Sequence, residues 1–183
     1  IINIMNLENK ISIILPTLNE EDNVIKIIDK IKNNFNYKNY EFIFVDDGST
    51  DNTQNQIKEL CLSNKNIKYL FRKNDKDISR SFMEGVKMSD AAKVILMDAD
   101  LQHETKDLNL FIPFIYNNKY SLVNGSRFLK DSNIYGSKIY ILFRISLSKL
   151  FIFICKYIFQ IKLTDPLSGF FMADRDTLLK YEN

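Results

Sequence analysis

The sequence predicts an α/β fold, a mostly parallel sheet flanked by helices, and three observations carry that prediction. Short β-branched apolar runs alternate with segments of helical periodicity from residue 11 to residue 123. The runs are apolar throughout, as strands covered on both faces are. Polar clusters follow three of them directly, at residues 16–20, 46–49 and 98–102. In open sheets of this kind, ligands bind at the carboxyl ends of the strands.

Taken in order, residues 11–15 form the first expected strand, ended by Pro16. Residues 20–35 follow as a helix, with Val24, Ile27, Ile28, Ile31 and Phe35 at helical spacing. Asn19 is placed to cap it. Residues 41–45 are a second strand, broken by Asp46-Asp47-Gly48-Ser49, after which Thr50 or Asp51 caps a helix running through Leu60. Residues 67–71 are a third strand, and 78–88 a helix with Ile78, Phe82 and Val86 on one face. Residues 94–97 are a fourth strand, feeding straight into Asp98. Residues 108–116 read as helical, with Pro113 as a kink or break. Residues 121–123 are a further strand.

A chain of 183 residues suits one domain with a sizeable core, and residues 1–183 are read as such. Its net charge of +2 hides an uneven layout. Residues 119–163 carry eight basic residues and one acidic residue, Asp131, which makes that segment +7 and the rest of the chain −5. An anionic partner is implied. The basic residues stand among Ile, Leu and Phe, which favours a membrane surface over nucleic acid. Within it, residues 139–163 are apolar but interrupted by Arg144, Lys149, Lys156 and Lys162. A spanning helix needs about 20 mostly apolar residues, so an amphipathic helix lying in the interface is expected. Cys61 and Cys155 belong to no CxxC pattern and read as buried, reduced thiols. The first residues include Glu8 and Lys10 and no long apolar run, so no secretory leader is expected.

The acidic clusters carry the chemistry. Asp98 and Asp100 flank one residue, and in an extended segment such side chains point the same way. Two carboxylates on one side can hold Mg²⁺ or Mn²⁺ through hard oxygen ligands, with Gln102 continuing the spacing as a third. Such a cation neutralises a leaving nucleoside diphosphate. At the second cluster, one of Asp46 and Asp47 can accept a hydrogen bond from a base N–H, while Ser49, Thr50 and Asp51 serve the turn and cap. Glu20 is placed to face the base or ribose. Arg80 can reach a phosphate or be an ordinary surface residue. His103, the sole histidine, is assigned a structural role, because the chemistry demands no base there. GxGxxG and the P-loop pattern are absent, which argues against dinucleotide oxidoreductases and P-loop NTPases.

Together, ILPTLNEEDN, FVDDGSTDNT, MDADLQH, NGSRF and DPLSGFF resemble glycosyltransferase family 2, in its dolichol-phosphate or polyprenyl-phosphate mannosyltransferase-like branch. The resemblance spans residues 11–175, with five motifs in order. It implies a Rossmann-like GT-A fold, a GDP- or UDP-sugar donor, a divalent metal, a polyprenyl or dolichyl phosphate acceptor and inversion at the anomeric carbon. By that resemblance, Pro16, Leu18, Glu20, Asp47, Asp98 and Ala99 contact the nucleotide. Asp98, Asp100 and Gln102 hold the metal, Asp100 and Arg127 are catalytic, and Arg127, Arg144 and Ser148 bind the acceptor phosphate. Arg144 and Ser148, four apart, share a helical face. DPLSGF returns to the active site as a tight loop.

Two departures bear on the sugar and the base. Leu18 stands where the family often has Tyr, and Asp77-Ile78-Ser79-Arg80-Ser81 stands where mannosyltransferases commonly have a Gly-Leu-Gly type stretch. The expected location is peripheral, on the cytoplasmic face of a membrane, and integral only if a further C-terminal segment spans. The alternatives are an inactive or truncated relative that only binds nucleotide, and a sugar nucleotidyltransferase. The latter should carry a Gly-rich basic loop after its first strand, where PTLNEE is acidic.

Overall fold

The first strand, β1 (Ile11–Thr17), forms the hub of the sheet. Its Ile11, Ile13, Ile14 and Leu15 are fully buried, as befits a strand with neighbours on both edges and helices over its faces. In the computed structural model, which describes residues 10–73, 76–117, 119–126, 152–153, 157 and 163–181, β1 pairs in parallel with β2 (Tyr40–Asp46) on one side. It pairs in parallel with β4 (Lys93–Leu96) on the other. β2 pairs in parallel with β3 (Ile67–Phe71). With β5 (Leu122–Asn124) and β6 (Phe171–Asp174), the sheet order is β3-β2-β1-β4-β6-β5. The Asp174 N–H donates to the Ser121 carbonyl and the Gly125 N–H to the Phe170 carbonyl, so β5 and β6 run in opposite directions.

The registers are long on one side of β1 and short on the other. Ile11 faces Tyr40 and Thr17 faces Asp46, whereas β4 pairs only from Ile11↔Lys93 to Ile14↔Leu96. The chain reaches β4 by crossing back over β2 and β1 after β3. That reversal is a topological switch point, and in open sheets of this kind ligands bind beyond the carboxyl ends of the strands at such a point, here β1 and β4.

The connecting helices form where the apolar spacing requires them. α1 (Val24–Asn34) buries Val24, Ile27, Ile28 and Ile31, one stripe of an amphipathic helix. α2 (Thr53–Ser63) buries Thr53 and Ile57. α3 (Ile78–Met88) buries Ser81, Phe82, Gly85 and Val86. Its backbone approaches β1 so closely that a Cβ on Gly85 would meet Ile14 Cγ2 at 2.5 Å. A 3₁₀ turn at Thr105–Phe111 passes into a single α turn, α4 (Ile112–Ile115), with Pro113 at its start. Proline is tolerated there because its missing N–H would lie unpaired in the first turn. α5 (Arg175–Lys180) follows β6.

Two helix caps and one cysteine are among the local differences between expectation and structure. The first helix begins at Val24, with Asn23 and not Asn19 at its N-cap. Asn52 occupies the N-cap position of α2, although Asp51 Oδ1 still accepts the Thr53 N–H at 3.0 Å. Cys61 is free as expected but only half-buried. Cys155 lies outside the described residues.

A charged cluster closes the amino end of the sheet, away from the polar loops. Glu41 is buried and accepts from Ser12 Oγ at 2.7 Å and from Lys10 Nζ at 2.6 Å. Lys68 joins both Glu41 and Asp90. Burial disfavours the Lys68 charge, but these two carboxylates outweigh it and hold its pKa above the ordinary lysine value. Lys93 pairs with Asp174 at 2.5 Å, tying the start of β4 to the end of β6.

The chain divides into two compact units, residues 1–123 with 172–183, and residues 124–171. Phe153 and Tyr157, in the second, are helical and exposed, with their rings tilted against each other and 4.4 Å between centroids. No helix among the described residues is long and apolar enough to cross a membrane.

Candidate active site

Because β2, β1 and β4 are neighbours, the segments that leave their carboxyl ends line one edge of the first unit. The polar clusters expected at residues 16–20, 46–49 and 98–102 fall there, with Pro16 still within β1 and Asp46 the last residue of β2.

The two aspartates after β2 have separate tasks. Asp46 is fully buried and spends its carboxylate on its own turn. It accepts from the N–H groups of Gly48 (3.2 Å) and Ser49 (3.0 Å), from Gln54 Nε2 (2.6 Å) and from the Ser49 hydroxyl. Gly48 turns the chain at φ +80°, a conformation natural to glycine. Asp47 remains, and it faces the ends of β3 and α3. Its Oδ1 accepts from Arg72 Nη1 at 2.5 Å and from Ser81 Oγ at 2.5 Å, and its Oδ2 from the Asp77 N–H at 3.1 Å. A carboxylate offers about four acceptor positions, so Oδ2 keeps capacity for one more donor. Arg72 also donates to the Asp77 carbonyl and to Ser81 Oγ. Asp77 in turn caps α3, accepting the N–H groups of Ser79 and Arg80.

Arg72 was not among the residues expected from sequence. The signal was present, since it is the first polar residue after the third strand, at the same sheet edge as the acidic clusters. The stretch that departs from the mannosyltransferase pattern, residues 77–81, supplies two of the three groups that hold Asp47.

The loop after β1 is locked to the loop after β2. The Asn19 N–H donates to Ser49 Oγ (2.7 Å), and Asn19 Oδ1 accepts the Thr50 N–H (2.8 Å). The Glu20 N–H donates to Thr53 Oγ1 (2.8 Å). Glu21 and the 51–52 segment exchange two further bonds, Glu21 N–H to Asp51 Oδ2 and Asn52 N–H to Glu21 Oε2. Asn19 therefore bridges two loops, which explains why it does not cap α1. Its φ of +57° is one that Asn accepts more readily than most residues. Leu18 is 38% exposed beside it, and the Glu20 carboxylate accepts from Asn23 Nδ2 at 2.7 Å. Pro16 pairs in register with Val45.

The third cluster is a bend, not the extended segment that the i, i+2 argument assumed. Met97 still donates to the Ile14 carbonyl, and Ala99 is buried. Leu101 then takes φ +62°, and the Gln102 N–H closes the turn onto Asp100 Oδ1 at 3.0 Å. Asp98 keeps a third of its side-chain surface exposed, with His103 Nε2 at 3.6 Å from its Oδ2. That separation is too long for a hydrogen bond.

Among the described residues, no Lys or Arg pairs with Asp98 or Asp100. Nor do three or more His, Cys, Asp or Glu side chains converge on a metal-sized site. Asp98 and Asp100 are the two carboxylates of this bend. Mg²⁺ commonly binds through one or two carboxylates, with water and substrate phosphates completing the shell.

Arg127, Arg144, Ser148 and most of residues 139–163 lie outside the described residues. The neighbouring NGS motif is described up to Ser126. There, a Cβ on Gly125 would meet the Phe170 ring at 2.5 Å, so only glycine fits between the two. The DPLSGF stretch forms the expected tight loop, with the Ser168 N–H on the Asp165 carbonyl and the Phe170 N–H on Ser168 Oγ.

The family described as glycosyl transferase family 2 matches residues 12–181. Dolichol-phosphate mannosyltransferase of Pyrococcus furiosus is 32% identical over 171 residues, covering 92% of this chain and 47% of that protein. The undecaprenyl-phosphate 4-deoxy-4-formamido-L-arabinose transferase of Proteus mirabilis is 31% identical over 104 residues, covering 55% of this chain and 32% of that protein. Among solved structures, glucosyl-3-phosphoglycerate synthase from Mycobacterium tuberculosis, in complex with Mn²⁺, UDP-glucose and phosphoglyceric acid, superposes with a TM-score of 0.65. It shares 20% identity and is matched over 92% of this chain and 57% of its own, a likeness of fold alone. That fold is GT-A. The chain spans about half the length of the mannosyltransferase it matches.

Proposed function

This chain belongs to glycosyl transferase family 2, and on that premise we propose that it transfers a sugar, with inversion, from a GDP- or UDP-sugar to a polyprenyl phosphate at a membrane surface. One observation carries the proposal. Asp47 and the Asp98–Asp100 pair leave strands on either side of β1, whose own exit loop presents Leu18 and Glu20 between them. That common edge supports reading Asp47 as base-facing and Asp98 with Asp100 as diphosphate-facing.

In this reading, Oδ2 of Asp47 accepts a base N–H, Leu18 packs against the base and Glu20 faces the nucleoside. Asp98 and Asp100 hold Mg²⁺ or Mn²⁺, which when bound offsets the charge of the departing nucleoside diphosphate. A lipid phosphate oxygen is already a competent nucleophile, so the chain need supply no general base. Its task is to align acceptor and donor for direct displacement at the anomeric carbon. Arg127, Arg144 and Ser148 take the acceptor phosphate, for which guanidinium groups are suited by their planar fork. The relatives named for dolichol-phosphate and undecaprenyl-phosphate chemistry support the acceptor class. The +7 segment and the exposed Phe153–Tyr157 pair support a peripheral site on an anionic cytoplasmic membrane face. We extend the proposal to residues 1–183 as one catalytic domain, with residues 139–163 at the interface.

The test is incubation with polyprenyl phosphate and a panel of nucleotide sugars, with detection of the glycolipid. A nucleotide-only binder would bind UDP or GDP in calorimetric titration yet form no glycolipid. A nucleotidyltransferase would instead release pyrophosphate from a nucleoside triphosphate and a sugar phosphate.

A further inference from the structure

Only two non-glycine residues among the described residues have positive φ, and both lie in the loops of the candidate site. Asn19 is an amino-acid type that tolerates this region, and its side chain is bonded across the loops. Leu101, at φ +62°, has no such excuse. Its Cβ crowds the following carbonyl in the left-handed region, and the side chain offers no hydrogen bond in return. Strained backbone of this kind persists where the surroundings over-determine it, and it collects at functional sites.

The surroundings here are specific. On one side the chain is anchored by Met97 on the Ile14 carbonyl and by buried Ala99. On the other, the Gln102 N–H returns to Asp100 Oδ1 at 3.0 Å. Leu101 lies between the two, so its left-handed turn is what brings the Gln102 amide back over the Asp100 carboxylate. That bond fixes one Asp100 oxygen and so the orientation of the whole group.

We propose that Leu101 is a positioning residue for the divalent cation, acting through its backbone: its left-handed turn lets the Gln102 amide orient the Asp100 carboxylate before the metal arrives. The inference rests on the metal-binding reading of Asp98 and Asp100. It predicts a substitution pattern governed by φ and not by side-chain chemistry. Leu101→Gly and Leu101→Asn adopt the left-handed region readily. Leu101→Val keeps an apolar side chain of similar kind, but β-branching makes that region a genuine outlier.

The experiment is calorimetric titration of Mn²⁺ in the presence of UDP or GDP, with hydrogen exchange at the Gln102 amide as a second readout. Circular dichroism checks that each variant is folded. The expected result is Mn²⁺ affinity within about threefold of the unaltered chain for Leu101→Gly and Leu101→Asn. Leu101→Val should bind about tenfold more weakly, the scale of the further strain that β-branching adds to a left-handed residue. The Gln102 amide should lose protection only in Leu101→Val. Equal Mn²⁺ affinity in Leu101→Val and the unaltered chain overturns this inference alone. So does an equal loss in Leu101→Gly and Leu101→Val, which would assign the effect to leucine packing. Failure of the unaltered chain to bind Mn²⁺ overturns the metal reading and this inference with it. If Leu101→Val does not fold, the Gly and Asn variants still decide, because a tenfold loss in both contradicts a backbone role.

Discussion

Arg72 Nη1 lies 2.5 Å from Asp47 Oδ1, and this ion pair fastens the end of β3 to the end of β2 at the edge where the nucleotide is proposed to sit. Both side chains are largely withdrawn from water, at 12% and 9% exposure. Removing one partner strands the other, and uncompensated charges of this kind cost about 3 kcal/mol. Arg72→Ala should therefore lower unfolding free energy by about that amount in urea titration. It should also weaken nucleotide binding, because Asp47 loses its fixed orientation. Arg72→Lys should recover part of both, since Nη1 alone reaches Asp47, Ser81 and the Asp77 carbonyl, and an ammonium also carries three donors but on a shorter stem.

Gly85 gives a test of packing. An added Cβ would stand 2.5 Å from Ile14 Cγ2, between α3 and the hub strand. Helix propensity alone favours Gly85→Ala by about 1 kcal/mol. Overpacking costs about 1–3 kcal/mol, so net destabilisation is expected, read as a lower Tm. The two sites should be coupled: Ile14→Ala should cost less in the Gly85→Ala background than alone, as a double-mutant cycle would show.

Asp51 gives the pH dependence a sign. Burial pushes its carboxyl up, but hydrogen bonds from Thr53 and the Glu21 N–H outweigh that and hold its pKa below the ordinary value. A carboxyl lowered in the folded state stabilises above its unfolded pKa of about 3.9, and that contribution fades as pH falls through the lower folded value. Asp51→Asn should thus be less stable than the unaltered chain at pH 7, and the gap should close below about pH 4. Tm measured across pH 2–7 (about the range over which carboxyls titrate) checks it. A gap that stays constant would exclude a role for the charge.

The bridge at Asn19 predicts a graded series. Asn19→Gly keeps the φ of +57° but loses the acceptor for Thr50, while Asn19→Val loses both. Costs of about 1 and about 3 kcal/mol follow from a lost hydrogen bond and from added backbone strain. Chemical denaturation measures them, and nucleotide affinity should fall in the same order.

The first four strands and α1–α3 were legible because each is a run of β-branched or helically spaced residues whose burial depends mainly on local pattern. The residues at 171–174 were not seen as a strand. Four residues carry little periodicity, and β6 owes its existence to distant partners such as Ser121 and Gly125. The acidic clusters were legible because polar residues after apolar runs mark a ligand edge. Their division of labour was not: nothing local distinguishes Asp46, spent on its own turn, from Asp47, held by three groups at the ends of β3 and α3. The capping role given to Asn19 obeyed a good local rule, but cross-loop bonds to Ser49 and Thr50 took that side chain elsewhere. The even spacing of Asp98, Asp100 and Gln102 suggested an extended segment, and the left-handed turn at Leu101 replaces it.

The central claim is that the edge beyond β1 and β4 transfers a sugar with a cation held by Asp98 and Asp100. The most direct measurement is glycolipid formation from nucleotide sugar and polyprenyl phosphate, with Mn²⁺ varied, by the unaltered chain and by Asp100→Asn. The prediction is Mn²⁺-dependent glycolipid formation that Asp100→Asn reduces by at least about 100-fold, the scale on which preorganised charge stabilisation acts. Full Mn²⁺-dependent transfer by Asp100→Asn would contradict the account.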